Sequence, residues 1–356
     1  MKMKKLFFFL STIVALMMIS CSDETSSIDV DHPKDEKTVL ILNEGGFNQN
    51  NSTLAMYDIS KGSIRRNHFN LANNRGLGSV GNDMILYGSK LYIVMNLSGT
   101  IEVVEPSTGK SIKQISMKTE AGTNKQPRQI TSHNGKVYVT SIEDDTVVRI
   151  DTTTLNVEAT VTVGMDPEGI IADNGKLYVA NSGGWSGFDK TISVIDLSSF
   201  EVIKEIEVGV NPVNLDVDKN GNIYISALGN YSDTPAVFQK FDPITETVTT
   251  IEAISNPSKF LVHNNKAYIV QGSYGNPYSV LVYDCITETI ITNNFITDDT
   301  QIEIIHSLSI DKKTDDLFIM ESDYIIPGSV YCFDKQGKFK YSINAVGLNP
   351  NTVIVL

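Results

Sequence analysis

Positive charge is scarce in this sequence of 356 residues, which has 29 Lys and Arg against 42 Asp and Glu and a formal charge of −13. Removing an N-terminal leader that contains Lys2, Lys4 and Lys5 subtracts three from −13 and leaves about −16. So acidic a chain has no electrostatic attraction for phosphate backbones or anionic lipids. Nucleic acid is therefore excluded as a partner.

Catalytic motifs and helical periodicity are absent as well. The sequence has no nucleophile elbow, phosphate-binding loop or paired-histidine motif. No stretch has the apolar spacing of a long amphipathic helix, although 41% of the residues are hydrophobic and can bury a large core. We therefore expect an all-β protein that is not an enzyme and has no catalytic cofactor.

What the sequence does contain is a repeat, seen in "QPRQITSHNGKVYVTS", "DPEGIIADNGKLYVAN", "NPVNLDVDKNGNIYIS" and "NPSKFLVHNNKAYIVQ". Each copy reads as a proline, an apolar strand, a tight turn and a second strand with an aromatic residue. Including two degenerate copies, the aromatics are 46, 40, 46, 44 and 50 residues apart: Tyr92, Tyr138, Tyr178, Tyr224, Tyr268 and Phe318. A third strand ending near Asp and a fourth strand follow. Four short strands in roughly 40–50 residues is the period of a β-propeller blade.

The two ends of the repeat region complement each other. Residues 37–71 supply a second and a third strand, "KTVLILNEGG" and "STLAMYD", with no first strand before them, and the chain ends on "PNTVIVL". We predict that this C-terminal strand completes the N-terminal blade and closes a seven-bladed β-propeller over residues 37–356. A sandwich or an open solenoid would leave the complementary ends unexplained.

The N-terminus "MKMKKLFFFLSTIVALMMISC" has a basic start and an apolar stretch too short to span a bilayer comfortably. It resembles a lipoprotein signal peptide over residues 1–20, with Cys21 as the lipidated residue. Met18 stands where that pattern prefers Leu, so ordinary secretion and a retained anchor are the alternatives. Residues 21–36 are polar and acidic and indicate a flexible tether. Asp23 and Glu24 resemble the surface-export signal of Bacteroides-type lipoproteins, which implies an outer-membrane protein exposed at the cell surface.

The other two cysteines, Cys285 and Cys332, fall in the third strands of neighbouring repeats but are offset by three positions relative to Asp284 and Asp334. We expect two buried free thiols, with a disulfide as the alternative in an oxidising compartment.

The segment "DVDKNGNIY", residues 216–224, imitates the start of a calcium-binding loop. Its twelfth position is Ala227 instead of the bidentate Glu that such a loop needs, so we interpret it as a hairpin turn without metal.

The five histidines do not converge. His32 lies in the tether, His68 in a predicted outer strand, and His133 and His263 in equivalent turns on one rim of the ring. Only His306, at the start of a first strand, can face the opposite rim, and its possible acid–base partners are Glu168 or Glu303.

The rim where second-to-third-strand loops meet the starts of the first strands is the usual ligand face of a propeller. Its loops combine aromatics with side-chain amides, and the first strands add polar groups such as Lys259. Flat apolar rings and amides suit a large, mostly uncharged ligand rich in amide or hydroxyl groups. The candidate ligand-binding residues are Asn43, Phe47, Asn96, Arg128, Glu168, Asn181, Trp185, Phe188, Asn214, Tyr231, Tyr274, Tyr278, Tyr324 and Asn351.

The repeated unit resembles the YncE-like propellers over residues 37–356. The lipoprotein leader together with "LNEGGFNQNNSTLAMYD" resembles more narrowly the BtuG-type propellers of Bacteroides-like bacteria. That resemblance implies a surface lipoprotein that binds cobalamin and delivers it to a BtuB-type TonB-dependent transporter, and that meets the membrane through its lipid anchor only. It assigns no ligand residue.

Two other functions use the same fold: a glycan- or protein-binding module on the same rim, and a propeller lyase or lactonase. Trp185, the only tryptophan, is flanked by Gly183, Gly184 and Gly187. We expect it to be partly exposed and to pack against the ligand.

Overall fold

A computed structural model describes residues 37–184, 186–272 and 277–356. These residues form seven antiparallel sheets of four strands each. The predicted signal peptide, the tether and its Cys21 lie outside the described residues. In the part of the chain that is described, no helix is long and apolar enough to cross a membrane.

Each sheet is one blade, and the blades follow the chain. The strands of blades 1 to 4 are β1 (Thr38–Asn43), β2 (Thr53–Asp58), β3 (Ser63–Arg65), β4 (Gly81–Tyr87), β5 (Lys90–Met95), β6 (Thr100–Val104), β7 (Ser111–Ser116), β8 (Pro127–His133), β9 (Lys136–Ser141), β10 (Thr146–Asp151), β11 (Val157–Thr162), β12 (Pro167–Asp173), β13 (Lys176–Asn181), β14 (Thr191–Asp196) and β15 (Glu201–Glu207).

Blades 5 to 7 have the same layout. Their strands are β16 (Pro212–Val217), β17 (Ile223–Ala227), β18 (Val237–Asp242), β19 (Thr247–Ser255), β20 (Pro257–His263), β21 (Lys266–Gln271), β22 (Ser279–Asp284), β23 (Thr289–Thr292), β24 (Ile305–Asp311), β25 (Asp316–Glu321), β26 (Gly328–Phe333) and β27 (Phe339–Gly347), and β28 (Pro350–Val355) ends the chain.

The C-terminal strand closes the ring as predicted. β28 lies against β1, so the first sheet has the order β28, β1, β2, β3. Its register places Val355 opposite Val39 and Val353 opposite Ile41. The first strands of successive blades also contact one another around the ring, and β28 contacts both β24 and β4. The prediction of a closed seven-bladed β-propeller is confirmed.

The hydrophobic core consists of separate clusters in the seams between neighbouring blades. The repeat aromatics occupy these seams and are buried, as Tyr92 is between blades 2 and 3 and Tyr178 is between blades 4 and 5. A single blade has two apolar faces and cannot cover both alone, so each seam stabilises two blades at once. The aromatic spacing in the sequence is therefore the spacing of the seams.

Blade 1 has Leu40 where the other blades have an aromatic, and Phe69 packs in the same cluster. Phe69 belongs to α1 (His68–Asn73), a short helix after β3. The prediction that His68 lies in an outer strand is therefore wrong. The smaller Leu40 and the helix residue together fill the seam between blades 1 and 2.

Two local predictions are confirmed by the described residues. Cys285 and Cys332 are free and buried. Burial raises the pKa of each thiol to about 12, so both are unreactive. The calcium-like segment forms the turn between β16 and β17, where the Asp218 carboxylate accepts hydrogen bonds from the backbone N–H groups of Asn220 and Asn222 at 2.8 and 3.0 Å.

Candidate functional site

The first strands begin at one end of the ring, which we call the upper rim and which also has the loops between second and third strands. Each first strand starts with Pro, Gly81 or Ile305, and its pairing register shifts within the next two or three residues. Such bulges change the direction in which side chains point. The second residues of the first strands are Asn82, Arg128, Glu168, Val213, Ser258, His306 and Asn351, and the third are Asp83, Gln129, Gly169, Asn214, Lys259, Ser307 and Thr352.

Most of these residues line two adjoining cavities of about 210 and 390 Å³ at the upper rim. We call the two cavities together the rim basin. The residues shared by both cavities are Arg128, Gln129, Glu168, Asn214 and Lys259. The smaller cavity extends to Asn82, Asp83 and Asn351, and the larger extends to Asn211 and Tyr231. The floor is thus polar, and the wall on the side of blade 5 is aromatic.

Arg128 and Glu168 form an ion pair on this floor. The Arg128 Nε donates to Glu168 Oε1 and Oε2 at 3.0 and 2.9 Å, and Nη1 donates to Asn82 Oδ1 at 2.8 Å. Asn82 donates in turn to the Arg128 carbonyl at 2.7 Å, and Asn351 donates to the Asn82 carbonyl. This network joins four blades and fixes the guanidinium before any ligand arrives.

Asp83 lies beside this network. Its Oδ1 accepts from the Met84 N–H at 2.8 Å, and its Oδ2 accepts from the Ile130 N–H of blade 3 at 3.1 Å. Burial raises the pKa of Asp83 to about 6, although these two hydrogen bonds and the Lys259 charge act in the opposite direction. Ionisation of Asp83 at neutral pH therefore lowers the free energy of unfolding.

This raised pKa predicts a pH-dependent effect of Asp83→Asn. Between about pH 4 and 6 the folded state keeps a proton that the unfolded state has lost, so the wild type loses stability as the pH rises. The amide in the variant cannot ionise. The free energy of unfolding of Asp83→Asn, relative to the wild type, should rise by about 1–3 kcal/mol between pH 4 and pH 7 in urea titrations.

Asp58 provides a control of opposite sign. Hydrogen bonds from Lys61 and Ser60 lower the pKa of this partly exposed carboxyl to about 2. Asp58→Asn should therefore lose stability relative to the wild type as the pH rises from about 2 to 4, and its relative stability should stay nearly constant from pH 4 to pH 7. A relative stability of Asp83→Asn that stays constant with pH would contradict the raised pKa.

His306 lies in blade 7 next to Ser307 and Glu44, which line the smaller cavity of the basin. Its Nδ1 is 3.1 Å from the Tyr324 hydroxyl, and its Nε2 is 3.4 Å from Glu44 Oε1. The imidazole meets the Tyr324 ring edge-on at 5.2 Å. The predicted partners were Glu168 or Glu303, but the structure gives this place to Glu44, because Arg128 engages both oxygens of Glu168.

Exposed aromatic side chains lie in the loops of the upper rim, and Tyr231 lines the basin itself. Phe47, Tyr231 and Tyr324 are 68, 73 and 60% exposed, values that leave most of each ring available to a ligand. Phe188 meets Tyr231 edge-on at 6.0 Å, and Asn211 donates to the Tyr231 hydroxyl at 3.1 Å. These loops therefore hold apolar area above a polar floor.

Four of the predicted site residues are placed away from this surface. Asn43, Asn96 and Asn181 are buried at the ends of second strands, where they donate to Thr53 Oγ1, the Pro127 carbonyl and Thr191 Oγ1. The prediction that these three side chains lie on the ligand face is wrong. They are buried because they form hydrogen bonds to polar groups within the protein at the ends of the strands. Tyr278 packs partly buried between blades 6 and 7. Trp185 and Tyr274 lie outside the described residues.

Sequence reasoning missed several residues of the floor. Asn82, Asp83 and Gln129 line the basin. Asn82 and Asp83 belong to a degenerate copy of the repeat, and Gln129 follows Arg128 in a regular copy. They occupy the same two positions of the first strand as Arg128, Glu168, Asn214 and Asn351. Alignment of the repeats by these positions would have found them.

The described residues include no group of three or more His, Cys, Asp or Glu side chains placed to hold a metal ion. The polar groups of the floor are mixed donors and acceptors, which suit hydrogen bonding to an organic ligand.

These features define the class of protein: a seven-bladed β-propeller with a polar basin and an aromatic fringe at its upper rim. Within that class, the chain belongs to the family described as "Domain of unknown function (DUF5074)", which matches residues 37–344. A comparison with curated proteins gives no match.

Solved structures share the fold at low sequence identity. Hydrazine synthase of Kuenenia stuttgartiensis is 17% identical with a TM-score of 0.56, covering 69% of this chain and 74% of that one. The computationally designed Ika8 protein is 14% identical with a TM-score of 0.57, covering 87 and 88%. Apo AztD from Citrobacter koseri is 10% identical with a TM-score of 0.55, covering 90 and 98%. Identities this low establish the propeller fold alone.

Proposed function

We propose that this protein binds cobalamin at the upper rim and delivers it to an outer-membrane transporter without changing it chemically. The observation that carries the proposal is the rim basin, a polar floor beneath exposed aromatic rings. The choice of cobalamin among large amide-rich ligands rests on the resemblance to BtuG-type propellers. The same resemblance underlies the proposed surface location, lipid anchor and BtuB-type partner.

The chemistry of the basin suits this ligand. A corrinoid is broad and is fringed with amide side chains, which both donate and accept hydrogen bonds. The floor offers Asn214 and Gln129 amides and the Asn351 side chain, and the ion pair of Arg128 with Glu168 is already formed. A neutral ligand therefore need not neutralise these two charges, and its amides can bond to groups that are fixed in advance.

The shape of the basin also suits a broad ligand. The two cavities share one floor, which Tyr231 lines on the side of blade 5, and further exposed rings lie in the rim loops of blades 4, 7 and 1, namely Phe188, Tyr324 and Phe47. A flat macrocycle can lie across this floor with its apolar faces against the rings. A small metabolite would contact only one side.

Calorimetry with cyanocobalamin and the purified protein tests the proposal. Binding with one ligand per chain, and recovery of unchanged cyanocobalamin by chromatography, are expected. Absence of both heat and co-elution at micromolar concentrations would overturn it. Binding to a glycan array in the absence of corrinoid binding would support the adhesion function instead.

Tyr231→Ala should weaken cyanocobalamin binding by roughly 10- to 100-fold, since the ring is exposed above the basin and its loss removes contact area. Ile244→Ala is the matched control, because Ile244 is an exposed apolar residue of the same blade, 87% exposed, in the turn at the opposite end. Its affinity should be that of the wild type. Equal affinities of the two variants would remove Tyr231 from the site.

A second candidate function is supported by one contact. His306 is held by Glu44 at 3.4 Å and by Tyr324 at 3.1 Å, an arrangement that can orient an imidazole for acid–base chemistry. A propeller lyase or lactonase would use this group. Turnover of a lactone or polyuronate that is lost in His306→Ala would establish that function.

A further inference from the structure

The carboxylates around the rim basin already have partners within the protein. Glu168 binds Arg128 through both oxygens. Glu44 lies 3.4 Å from the His306 Nε2. Asp83 accepts two backbone N–H groups. The negative charges of the floor are therefore each held by a specific contact.

Lys259 differs from these groups. It is the third residue of β20, its side chain is exposed, and it lines both cavities of the basin. Among the described residues no carboxylate lies within 4.0 Å of its ammonium group; its effect on Asp83 acts over a longer distance. A positive charge that lines a concave surface attracts an anion more strongly than one on a convex surface.

Asn214 occupies the position of the neighbouring blade that corresponds to Lys259, and its side-chain oxygen has no hydrogen-bond partner among the described residues. This oxygen is buried. Asn214 lines both cavities together with Lys259 and Gln129. A buried amide without a partner costs free energy that a ligand can recover. Because the Asn214 amide oxygen is an acceptor, it is an independent sign that this part of the floor can receive an N–H or O–H donor of a ligand.

Glycine occupies the corresponding position between Gln129 and Asn214. A Cβ on Gly169 would lie 2.8 Å from the Val213 carbonyl oxygen, a backbone atom of the next blade. The close approach of the two strands thus requires glycine at this point. Since Gly169 projects no side chain, the first strands of blades 4 and 5 pack closely at this point of the arc from Gln129 to Lys259.

We propose that Lys259 binds the single anionic group of the ligand, that this group is a phosphodiester, and that the Asn214 amide oxygen accepts a hydrogen bond from a donor beside it. The inference rests on the proposed function and refines it: a corrinoid that bears the phosphodiester-linked nucleotide is distinguished from one that lacks it. Lys259 supplies the charge, and the Asn214 amide bonds to a neighbouring polar group of the same ligand.

The test compares two corrinoids by calorimetry. Cyanocobalamin has the phosphodiester, and dicyanocobinamide lacks it. Lys259→Met should weaken cyanocobalamin binding roughly tenfold and change dicyanocobinamide binding less than about twofold. The cyanocobalamin affinity of the wild type, and not that of the variant, should fall with added salt.

Lys266→Met is the control. Lys266 is an exposed lysine of the same blade at the opposite end of the ring, in the first residue of β21. It should leave both affinities unchanged. An equal loss toward both corrinoids in Lys259→Met, or no loss toward either, overturns the anion subsite while leaving cobalamin binding intact.

Dimethyl phosphate, a phosphodiester without a corrinoid, tests this inference independently of the proposed function. If the wild type binds neither corrinoid, the proposed function fails, and dimethyl phosphate then tests the subsite alone. Shifts of the Asn214 side-chain amide signals in nuclear magnetic resonance, saturating at millimolar dimethyl phosphate in the wild type and lost in Lys259→Met, support it. Signals that do not move, or that move equally in both proteins, overturn it.

Discussion

Deletion of residues 350–356 is expected to abolish folding of the propeller. These residues form the first strand of blade 1, and without them β1 becomes an unpaired edge in the ring. The seam between blades 7 and 1 also loses Val353 from its core. Each blade is covered by its two neighbours, so loss of β28 leaves the seams on both sides of blade 1 incomplete. The effect is therefore larger than the fraying of one terminal strand. The truncated chain should show no cooperative unfolding transition in circular dichroism and should aggregate.

A circular permutant provides the control. Leu356 donates its N–H to the Thr38 carbonyl at 2.9 Å, so the end of β28 lies beside the start of β1. Residues 348–356 placed before residue 37 through an Asn-Gly turn would form a β-hairpin with β1. This permutant should fold and melt like the wild type. A truncated chain that keeps the wild-type melting transition would contradict the closing role of β28.

Replacement of Arg75 by methionine is expected to destabilise the protein by about 2–4 kcal/mol, since it leaves a buried carboxylate without its cation. Glu102 is fully buried, and Arg75 Nη2 donates to its Oε1 at 2.8 Å while the guanidinium lies over the Phe69 ring at 4.8 Å. Gln114 donates to Oε2 at 3.0 Å and the Ser111 hydroxyl donates to Oε1, and these two neutral donors do not compensate a buried charge. Urea unfolding gives the value directly.

Two further variants test this cause. Arg75→Met combined with Glu102→Leu removes both charges, and most of the lost stability should return because no charge remains buried. Lys190→Met breaks the ion pair with Glu207, whose side chains are 56 and 72% exposed, and should cost less than about 0.5 kcal/mol. A double variant as unstable as Arg75→Met alone would show that the loss arises from packing on Phe69.

Much of the fold could be predicted from the sequence because its signals are local and repeated. The hairpin turn and the aromatic recur in six copies, four of which also begin with proline, and the two incomplete ends fit only each other. The helix α1 could not be foreseen in this way. It occurs once, where blade 1 has Leu40 in place of the aromatic, and Phe69 packs in that seam. A repeat predicts the elements that its copies share. It does not predict a helix that occurs once and fills the space left by a smaller residue in one copy.

The candidate site was predicted less completely. Arg128, Glu168, Asn214 and Asn351 were expected on the rim and do line the basin. Asn43, Asn96 and Asn181 were expected beside them and are buried instead. A shift of one residue at a strand end turns a side chain from one face to the other, and the bulge in each first strand adds such a shift. The residue type alone does not indicate to which face of the strand the side chain points.

By itself, then, the sequence determined the propeller class, the number of blades and the closing strand. Four-stranded units of fixed period bury both of their apolar faces when they pack side by side in a closed ring. Only the tertiary structure decided which polar groups meet. Arg128 and Glu168 are separated by 40 residues and His306 and Glu44 by 262, yet each pair is in contact. The ring places the starts of distant strands side by side, and hydrogen bonding and the cost of burying charge then select the pairs.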